Sequence, residues 1–359
     1  MNPKSPIEQL VRPEVRALKS YHVPRADGLI KLDAMEDPYS WPVPIKEQWL
    51  KSLREVDLNR YPDPHATKLR ERLRTSLGVP SELAILLGNG SDELIQIIVM
   101  ALAQPGATVM APVPTFVMYE MIARSLGLRF VGVPLATEFA LDRAAMLAAI
   151  RKDRPAVIFI AYPNNPTGNL FDRADIEAII GAAPGLVVID EAYHAFANET
   201  FLQDAAKRDN VLVLRTLSKQ GLAGLRLGIL AGAPAWLDEF DKVRLPYNLG
   251  VLAQASGLFA LEHLDVMASQ MAQIRKDRES LYQSLGSMPG ITVWPSRTNF
   301  LLFRSDQRPA GEVFERLRQN GVLIKNLDGV GGVLKDCLRV TVGTPDENAS
   351  FLAMLAHAL

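Results

Sequence analysis

Short apolar runs alternate with longer amphipathic stretches between about residues 85 and 232. This rhythm is typical of parallel strands joined by helical crossovers. Several runs are continuous Val, Ile and Leu, which indicates strands buried on both faces. We therefore predict an α/β fold with a mostly parallel seven-stranded sheet between layers of helices. The predicted strands are 84–87, 108–111, 129–133, 156–161, 186–190, 211–215 and 227–231.

The pattern changes after a long helix predicted over about 253–285, because shorter β-rich segments follow at 291–294, 300–304, 322–325 and 338–342. They predict a second, smaller α+β domain, as expected for a chain of 359 residues. The predicted division is an N-terminal arm that joins the small domain (1–45), a large domain (46–250), a connecting helix (251–285) and a small domain (286–359). The two domains should enclose a cleft.

Charge and composition exclude several classes of partner. Lys and Arg number 39 and Asp and Glu number 40, so nothing favours nucleic acid or a membrane surface as a partner. The single cysteine, Cys337, excludes an internal disulfide and a cysteine-based metal cluster, and no metal site is predicted. The N-terminus lacks the apolar segment of a secretion signal, and no run is long enough to span a bilayer. We expect a soluble cytoplasmic protein.

The first candidate binding motif is GNGSDE at residues 88–93, between a predicted strand and a helix. Its glycines permit a tight turn, Ser91 can cap the helix, and the first free N–H groups form a site for an anion such as phosphate. An ordinary capped helix start explains the same residues.

Two further motifs stand at the carboxyl ends of predicted strands, where open α/β sheets place ligands. YPNNPTG at 162–168 holds an Asn amide between two prolines, although turn chemistry alone selects the same residue types. DEAY at 190–193 puts the Asp190 carboxylate at the end of a buried strand, where it requires a cation such as a protonated pyridine nitrogen. Asp190 could instead cap a helix or join a buried ion pair.

The segment RTLSKQGLAGLR at 215–226 combines a hydroxyl, a lysine and an arginine in a glycine-rich turn. Burial shifts a lysine amine toward its neutral, nucleophilic form, whereas an arginine stays charged and can bind phosphate through two N–H groups. Taken alone, Lys219 could equally be a solvated surface residue.

As an ordered set, GNGSDE, PNNPTG, VVIDEAY, RTLSK and GLAGLRLG resemble the class I and II aminotransferases, and among them the histidinol-phosphate aminotransferases. The resemblance covers nearly the whole chain and implies the fold type I architecture and pyridoxal 5'-phosphate as cofactor. It implies that Lys219 is the Schiff-base lysine and proton shuttle, and that Asp190 pairs with the pyridine nitrogen. The other cofactor contacts that it implies are Asn165 and Tyr193 at the phenolic oxygen, Phe116 against the ring, and Gly90, Ser91, Asp92, Ser218 and Arg226 at the phosphate. Phe116 could alternatively be a core aromatic.

The resemblance also implies contacts with a partner subunit and with the substrate. Tyr61 corresponds to a tyrosine that reaches the cofactor phosphate of the other subunit in a homodimer. Tyr21, Lys325 and Arg339 correspond to residues directed at the substrate phosphate. Lys325 stands where an arginine is common, and a lysine is a poorer bidentate group. From the strand pattern alone, Arg339 could face solvent.

Some residues depart from the family pattern. Met35 and Asp37 stand where much of the family has asparagines, and the loop between Lys219 and Arg226 is one residue shorter than in most members. Substrate preference is therefore less firmly implied than cofactor chemistry.

The reaction that the resemblance implies is reversible amino transfer from L-glutamate to imidazole-acetol phosphate, giving L-histidinol phosphate and 2-oxoglutarate in histidine biosynthesis. Three alternatives stay open. They are an aminotransferase for aromatic amino acids, in which Arg339 binds a carboxylate, a threonine-phosphate decarboxylase, and a non-catalytic protein that only binds the cofactor.

Overall fold

The computed structural model describes residues 5–20 and 23–359. Its strands in the described part of the chain are β1 (Ile30–Lys31), β2 (Ala84–Asn89), β3 (Thr108–Val113), β4 (Arg129–Pro134), β5 (Val157–Ala161), β6 (Leu186–Asp190), β7 (Val211–Thr216), β8 (Leu227–Gly232), β9 (Ile291–Val293), β10 (Phe300–Ser305), β11 (Val322–Leu323), β12 (Lys325–Asn326) and β13 (Cys337–Thr341).

The helices frame these strands. In the same part of the chain they are α1 (Pro6–Leu10), α2 (Pro13–Ala17), α3 (Val43–Leu53), α4 (Thr67–Leu77), α5 (Ser91–Ala101), α6 (Met118–Ser125), α7 (Arg143–Asp153), α8 (Arg173–Ala182), α9 (His194–Ala197), α10 (Leu202–Ala205), α11 (Pro234–Asp241), α12 (Val251–Glu262), α13 (Leu264–Gly286), α14 (Ala310–Gln319) and α15 (Pro345–Ala358).

The central sheet has seven strands in the order β2-β8-β7-β6-β5-β3-β4, which confirms the predicted fold class. Strand β8 is antiparallel to both of its neighbours, β2 and β7. The connection between β7 and β8 covers only residues 217–226. It is too short for the crossover that a parallel neighbour requires, so the chain turns back beside β7.

Strands β5 and β6 are buried on both faces. Ile158 and Val187 join the hydrophobic core on one side of the sheet, whereas Phe159 and Val188 join the core on the other side. Continuous apolar runs therefore supply two cores at once, as the pattern predicts. Because both faces are covered, ligands have access only at the strand ends.

A smaller four-stranded antiparallel sheet, in the order β12-β13-β10-β9, forms the second domain. Its core includes Phe300, Val340 and Phe351. The N-terminal segment divides between the two domains: β1 pairs with β11 and Leu32 lies in the small-domain core, whereas Arg12 donates to the Ser125 carbonyl of α6 in the large domain. The exact domain boundaries stay a prediction.

Two predicted elements differ from those observed. The helix expected over 253–285 is two helices, α12 and α13, separated at His263, whose ψ of 42° is not helical. The segment 322–325 is not one strand, because β11 pairs with β1 and β12 pairs with β13. Over the described residues, none of the helices has the length and apolar character of a membrane span.

Candidate active site

A cavity opens at the carboxyl ends of β5, β6 and β7, next to the first turn of α5. The sheet topology explains this convergence, since the parallel strands end at the same edge. The lining residues are Met35, Ser91, Asp92, Phe116, Ala161, Pro163, Asn165, Asp190, Ala192, Tyr193, Thr216, Ser218, Lys219 and Arg226. The sequence predicts a set of cofactor-site residues, and all but two of them line this cavity. The two exceptions are Gly90 and Tyr61.

Asp190 ends β6 and is 4% exposed. Its Oδ1 accepts the N–H of Ala192 at 3.0 Å, and its Oδ2 accepts the hydroxyl of Tyr119 at 2.6 Å. Burial raises the pKa of Asp190 to about 6, while these two hydrogen bonds act in the opposite direction. Asp190 makes no ion pair within the described chain, so its negative charge is available for a cationic ligand.

Lys219 lies in the turn between β7 and β8. Its Nζ donates to the carbonyl of Ala34 at 3.3 Å and stands 5.9 Å from the centre of the Tyr193 ring. Burial lowers the pKa of Lys219 to about 8, and the positive charge of Arg339 adds to this shift. Roughly a tenth of the amine is then neutral at pH 7, far more than for an ordinary lysine, and the neutral amine is the nucleophilic form.

The first turn of α5 and Arg226 form an anion cradle. Gly90, not Ser91, is the N-cap, with φ of 83° and without a side-chain cap, so the prediction that Ser91 caps the helix is wrong. The N–H of Gly90 already donates to the carbonyls of Gly88 and Arg226, whereas the first-turn N–H groups of Ser91 and Asp92 have no acceptor within the helix.

Close packing of backbone makes this cradle possible. A Cβ on Gly90 would lie 2.5 Å from Nη2 of Arg226, and one on Gly228 would lie 2.5 Å from the carbonyl of Gly90. Arg226 also contacts the carboxylate of Asp92 at 3.1 Å. Asp92 can therefore offer an anion its backbone N–H, while its side chain orients the guanidinium.

A hydrogen-bonded chain runs from Tyr193 to Arg339. Asn165 donates from Nδ2 to the Tyr193 hydroxyl at 3.3 Å, and its Oδ1 accepts from Nη1 of Arg339 at 2.6 Å. Arg339 is 6% exposed and donates from Nη2 to the carbonyl of Asp33 at 2.9 Å. Its side chain thus points into the site, and the alternative of a solvent-facing Arg339 is wrong.

A second cavity, of about 420 Å³, adjoins the first and shares Met35, Phe116 and Asn165 with it. Lys325 and Arg339, which the resemblance assigns to the substrate, both line it. The rest of its lining is largely apolar and includes Phe130, Leu327, Val330 and Leu334.

Tyr61 lies away from the cavity of its own chain. Tyr61 is 81% exposed and stacks on Tyr247 instead. Tyr21 lies outside the described residues. Sequence reasoning gave Tyr119 no role at the site, and the only available signal was its spacing of three residues after Phe116. The described residues contain no grouping of His, Cys, Asp and Glu suited to a metal ion.

The family model described as aminotransferase class I and II matches residues 30–355. The chain belongs to the class I and II aminotransferases. Among similar members of this family are histidinol-phosphate aminotransferase 2 of Nitrosococcus oceani, 54% identical over 98% of both chains, and histidinol-phosphate aminotransferase 2 of Cupriavidus pinatubonensis, 52% identical over 98% of this chain and 97% of that one.

A solved aminotransferase structure has the same fold. Histidinol-phosphate aminotransferase from Sinorhizobium meliloti, determined in complex with pyridoxal-5'-phosphate, is 25% identical, covers 96% of each chain and superposes with a TM-score of 0.85. L-threonine-O-3-phosphate decarboxylase from Porphyromonas gingivalis, at 22% identity and a TM-score of 0.77, shares the fold.

Proposed function

We propose that this aminotransferase uses pyridoxal 5'-phosphate to exchange an amino group between L-glutamate and imidazole-acetol phosphate, producing L-histidinol phosphate and 2-oxoglutarate. The observation that carries the proposal is the convergence of Lys219, Asp190 and Arg226 on one cavity, in a chain 54% identical to a histidinol-phosphate aminotransferase. A partly buried amine, a buried carboxylate and an arginine match the aldehyde, the ring nitrogen and the phosphate of the cofactor.

The cradle fits the phosphate of that cofactor. Arg226 supplies a guanidinium, the N–H groups of Ser91 and Asp92 supply donors at a helix N-terminus, and Ser218 supplies a hydroxyl. Gly90 contributes by its lack of a side chain, because a Cβ there would collide with the guanidinium.

The walls of the cavity fit the pyridine ring. Asp190 offers its carboxylate to the ring nitrogen, Phe116 offers an aromatic face, and Asn165 and Tyr193 offer polar groups to the phenolic oxygen. When bound, pyridoxal phosphate supplies an electron sink for the charge that develops at the substrate carbon as it loses its proton.

Lys219 is the proton carrier in this proposal. Its Nζ, with a pKa near 8, would take the proton from the substrate carbon and hold it for return on the same face of the site. Asp190 remains ionised and holds the positive charge of the ring nitrogen. Asn165 and Tyr193 would contact the edge of the cofactor ring and so fix its position relative to Lys219.

Arg339 and Lys325 bind the substrate phosphate in this proposal, and Tyr21 stays a predicted third contact. Arg339 is pre-oriented by Asn165 and by the carbonyl of Asp33. The apolar lining of the adjoining cavity favours a second candidate, an aminotransferase for aromatic amino acids whose carboxylate binds Arg339.

A homodimer completes the site in this proposal. The surface around Tyr61 exposes Leu58 (72%) and Leu245 (73%), apolar side chains that a second copy of the chain would cover. Tyr61 would then reach the cofactor phosphate of the partner subunit. We also retain the cytoplasm as the predicted compartment, since the only cysteine of the sequence, Cys337, is a buried free thiol.

Spectroscopy of purified protein tests the proposal. We expect visible absorbance from bound cofactor that falls on addition of L-histidinol phosphate and returns with 2-oxoglutarate, whereas Lys219→Ala should not respond. Protein that cannot be reconstituted with pyridoxal phosphate would refute the proposal.

Rival substrates separate the alternatives in the same assay. A response to phenylalanine or tyrosine alone would move the assignment to aromatic amino acids. Release of carbon dioxide from threonine phosphate would identify a decarboxylase.

Arg339→Lys should raise the KM for histidinol phosphate about tenfold or more, because one ammonium cannot replace the bidentate guanidinium.

A further inference from the structure

The hydroxyl of Tyr119 contacts the carboxylate that faces the cofactor site. The distance from the Tyr119 hydroxyl to Oδ2 of Asp190 is 2.6 Å, and the other carboxylate oxygen accepts the N–H of Ala192. Each oxygen thus receives one donor and keeps a lone pair for a further one. Two fixed donors hold the carboxylate in one orientation while leaving it able to bind a ring N–H.

Packing against neighbouring aromatic rings orients the Tyr119 hydroxyl. Tyr119 is fully buried and stacks on Phe159, with ring centres 4.7 Å apart and planes inclined by 10°. Its ring also makes a T-shaped contact with Phe116, with centres 5.6 Å apart and planes inclined by 84°. Since the aromatic neighbours fix the ring, the hydroxyl has little freedom to leave Asp190.

The electrostatics favour donation by Tyr119. Burial and the nearby charge of Asp190 raise the pKa of Tyr119 well above its usual value, so the phenol keeps its proton. Burial alone would push Asp190 toward its neutral form, and the Tyr119 hydrogen bond opposes that shift. Without the hydroxyl, a larger fraction of Asp190 would be protonated at neutral pH.

We propose that Tyr119 is a positioning residue that acts through Asp190, holding its carboxylate ionised and directed at the cofactor ring nitrogen. The inference rests on the proposed function, because it takes Asp190 as the partner of that nitrogen. It adds a residue from α6 to the determinants of cofactor binding. Tyr119 therefore links the partner of the ring nitrogen to Phe116, which offers the ring its aromatic face.

The test is the dissociation constant for pyridoxal phosphate, measured by titrating cofactor-free protein and following visible absorbance. Tyr119→Phe keeps the ring packing and removes only the hydroxyl, so we expect binding to weaken about tenfold to a hundredfold, the range for a hydrogen bond to a charged group. The matched control is Tyr39→Phe, which removes a tyrosine hydroxyl bonded at 2.8 Å to Asp277, outside both cavities. It should leave cofactor affinity unchanged.

A double-mutant cycle with Asp190→Asn separates positioning from a general loss of stability. If Tyr119 acts through the charge of Asp190, Tyr119→Phe should weaken binding far less in the Asp190→Asn background. Three results would overturn the inference. Tyr119→Phe could weaken cofactor binding by the same factor in both backgrounds, it could leave the affinity unchanged, or Tyr39→Phe could weaken binding as much. Wild-type protein that transaminates histidinol phosphate would leave the proposed function standing in those cases, whereas wild-type protein that binds no pyridoxal phosphate would overturn both.

Discussion

The ring of Tyr61 stacks on the ring of Tyr247, with centres 4.5 Å apart and planes inclined by 19°. Both rings are at the surface, at 81% and 42% exposure. Tyr247 has φ of 59°, in the left-handed region that a bulky residue rarely adopts. Such strain persists only where neighbouring contacts impose it, and it is typical of functional sites.

Hydrogen bonds of Arg244 and Asn248 flank Tyr247 on both sides in the chain. Arg244 donates to the carbonyl of Pro64, close to Tyr61 in the chain. Asn248 donates to the carboxylate of Glu93 at 2.7 Å, and Glu93 belongs to α5, whose first turn forms the anion cradle. The loop that carries Tyr247 is therefore hydrogen-bonded both to the segment after Tyr61 and to the helix of the anion cradle.

In the proposed homodimer, the stacked pair predicts that Tyr247 holds Tyr61 in position to reach the partner subunit. Tyr247→Ala should weaken pyridoxal phosphate binding about two- to tenfold, the range for an aromatic pair, whereas Tyr247→Phe should retain wild-type affinity because it keeps the stack. Titration of each cofactor-free variant with pyridoxal phosphate measures the two affinities. An equal loss in the two variants would contradict a role for the ring.

Complementation tests whether Tyr61 acts in the partner subunit. Tyr61→Ala and Lys219→Ala homodimers should each be defective in both sites, but a mixed dimer has one site with both residues intact. Random mixing then restores about a quarter of wild-type activity, since half of the dimers are mixed and each has one good site. Coexpression with two purification tags isolates the mixed dimers. If they stay as inactive as the parents, Tyr61 acts within its own subunit.

The strand-end residues of the site could be predicted because sheet topology alone brings them together. Asp190 ends a buried strand, and Asn165 and Lys219 follow two of its parallel neighbours. Any parallel arrangement of these strands gathers the three side chains at one edge. Residue type and position were sufficient information there.

Contacts that depend on helix orientation could not be predicted in the same way. The Tyr119 hydroxyl meets Asp190 only because α6 packs on β3 and β4 with that face toward the sheet, and the sequence leaves the helix rotation open. Arg339 lies on a strand whose alternation permits either face. The break at His263 has no Gly or Pro to announce it, so the apolar pattern reads as one continuous helix.

The lowered pKa of Lys219 predicts a pH dependence of cofactor uptake. With a pKa near 8, the neutral amine increases as pH rises, and the rate of pyridoxal phosphate uptake should climb up to about pH 8 and then level off. An ordinary lysine would give a rate that still increases toward about pH 10. Stopped-flow absorbance of cofactor-free protein measures the profile. A rate still rising steeply above about pH 9 would show that burial does not lower the pKa of the Lys219 amine.

The burial of Asp37 predicts that wild type and Asp37→Asn differ in stability, and that the difference depends on pH. Its Oδ2 and the Oε1 of Gln270 are buried without a hydrogen-bond partner in the described structure, and both face Gly221. Burial raises the pKa of Asp37 to about 6 from an ordinary 3.8. Since the folded state holds the proton more tightly, ionisation destabilises it as pH rises from about 4 to about 6. Asp37→Asn should therefore be more stable than wild type at neutral pH.

The size and sign of this difference can be measured by denaturant unfolding at several pH values. We expect Asp37→Asn to raise the free energy of unfolding by on the order of 2 kcal/mol at neutral pH. This is less than the energy equivalent of the full pKa shift, because the carboxyl group is partly solvated. The difference from wild type should disappear below about pH 4. Asp63→Asn is the opposite control: backbone N–H groups of Thr67 and His65 lower the pKa of Asp63, so removing that charge should destabilise the protein at neutral pH. A gain for Asp37→Asn that persists unchanged at acidic pH would mean that packing, and not ionisation, sets the difference.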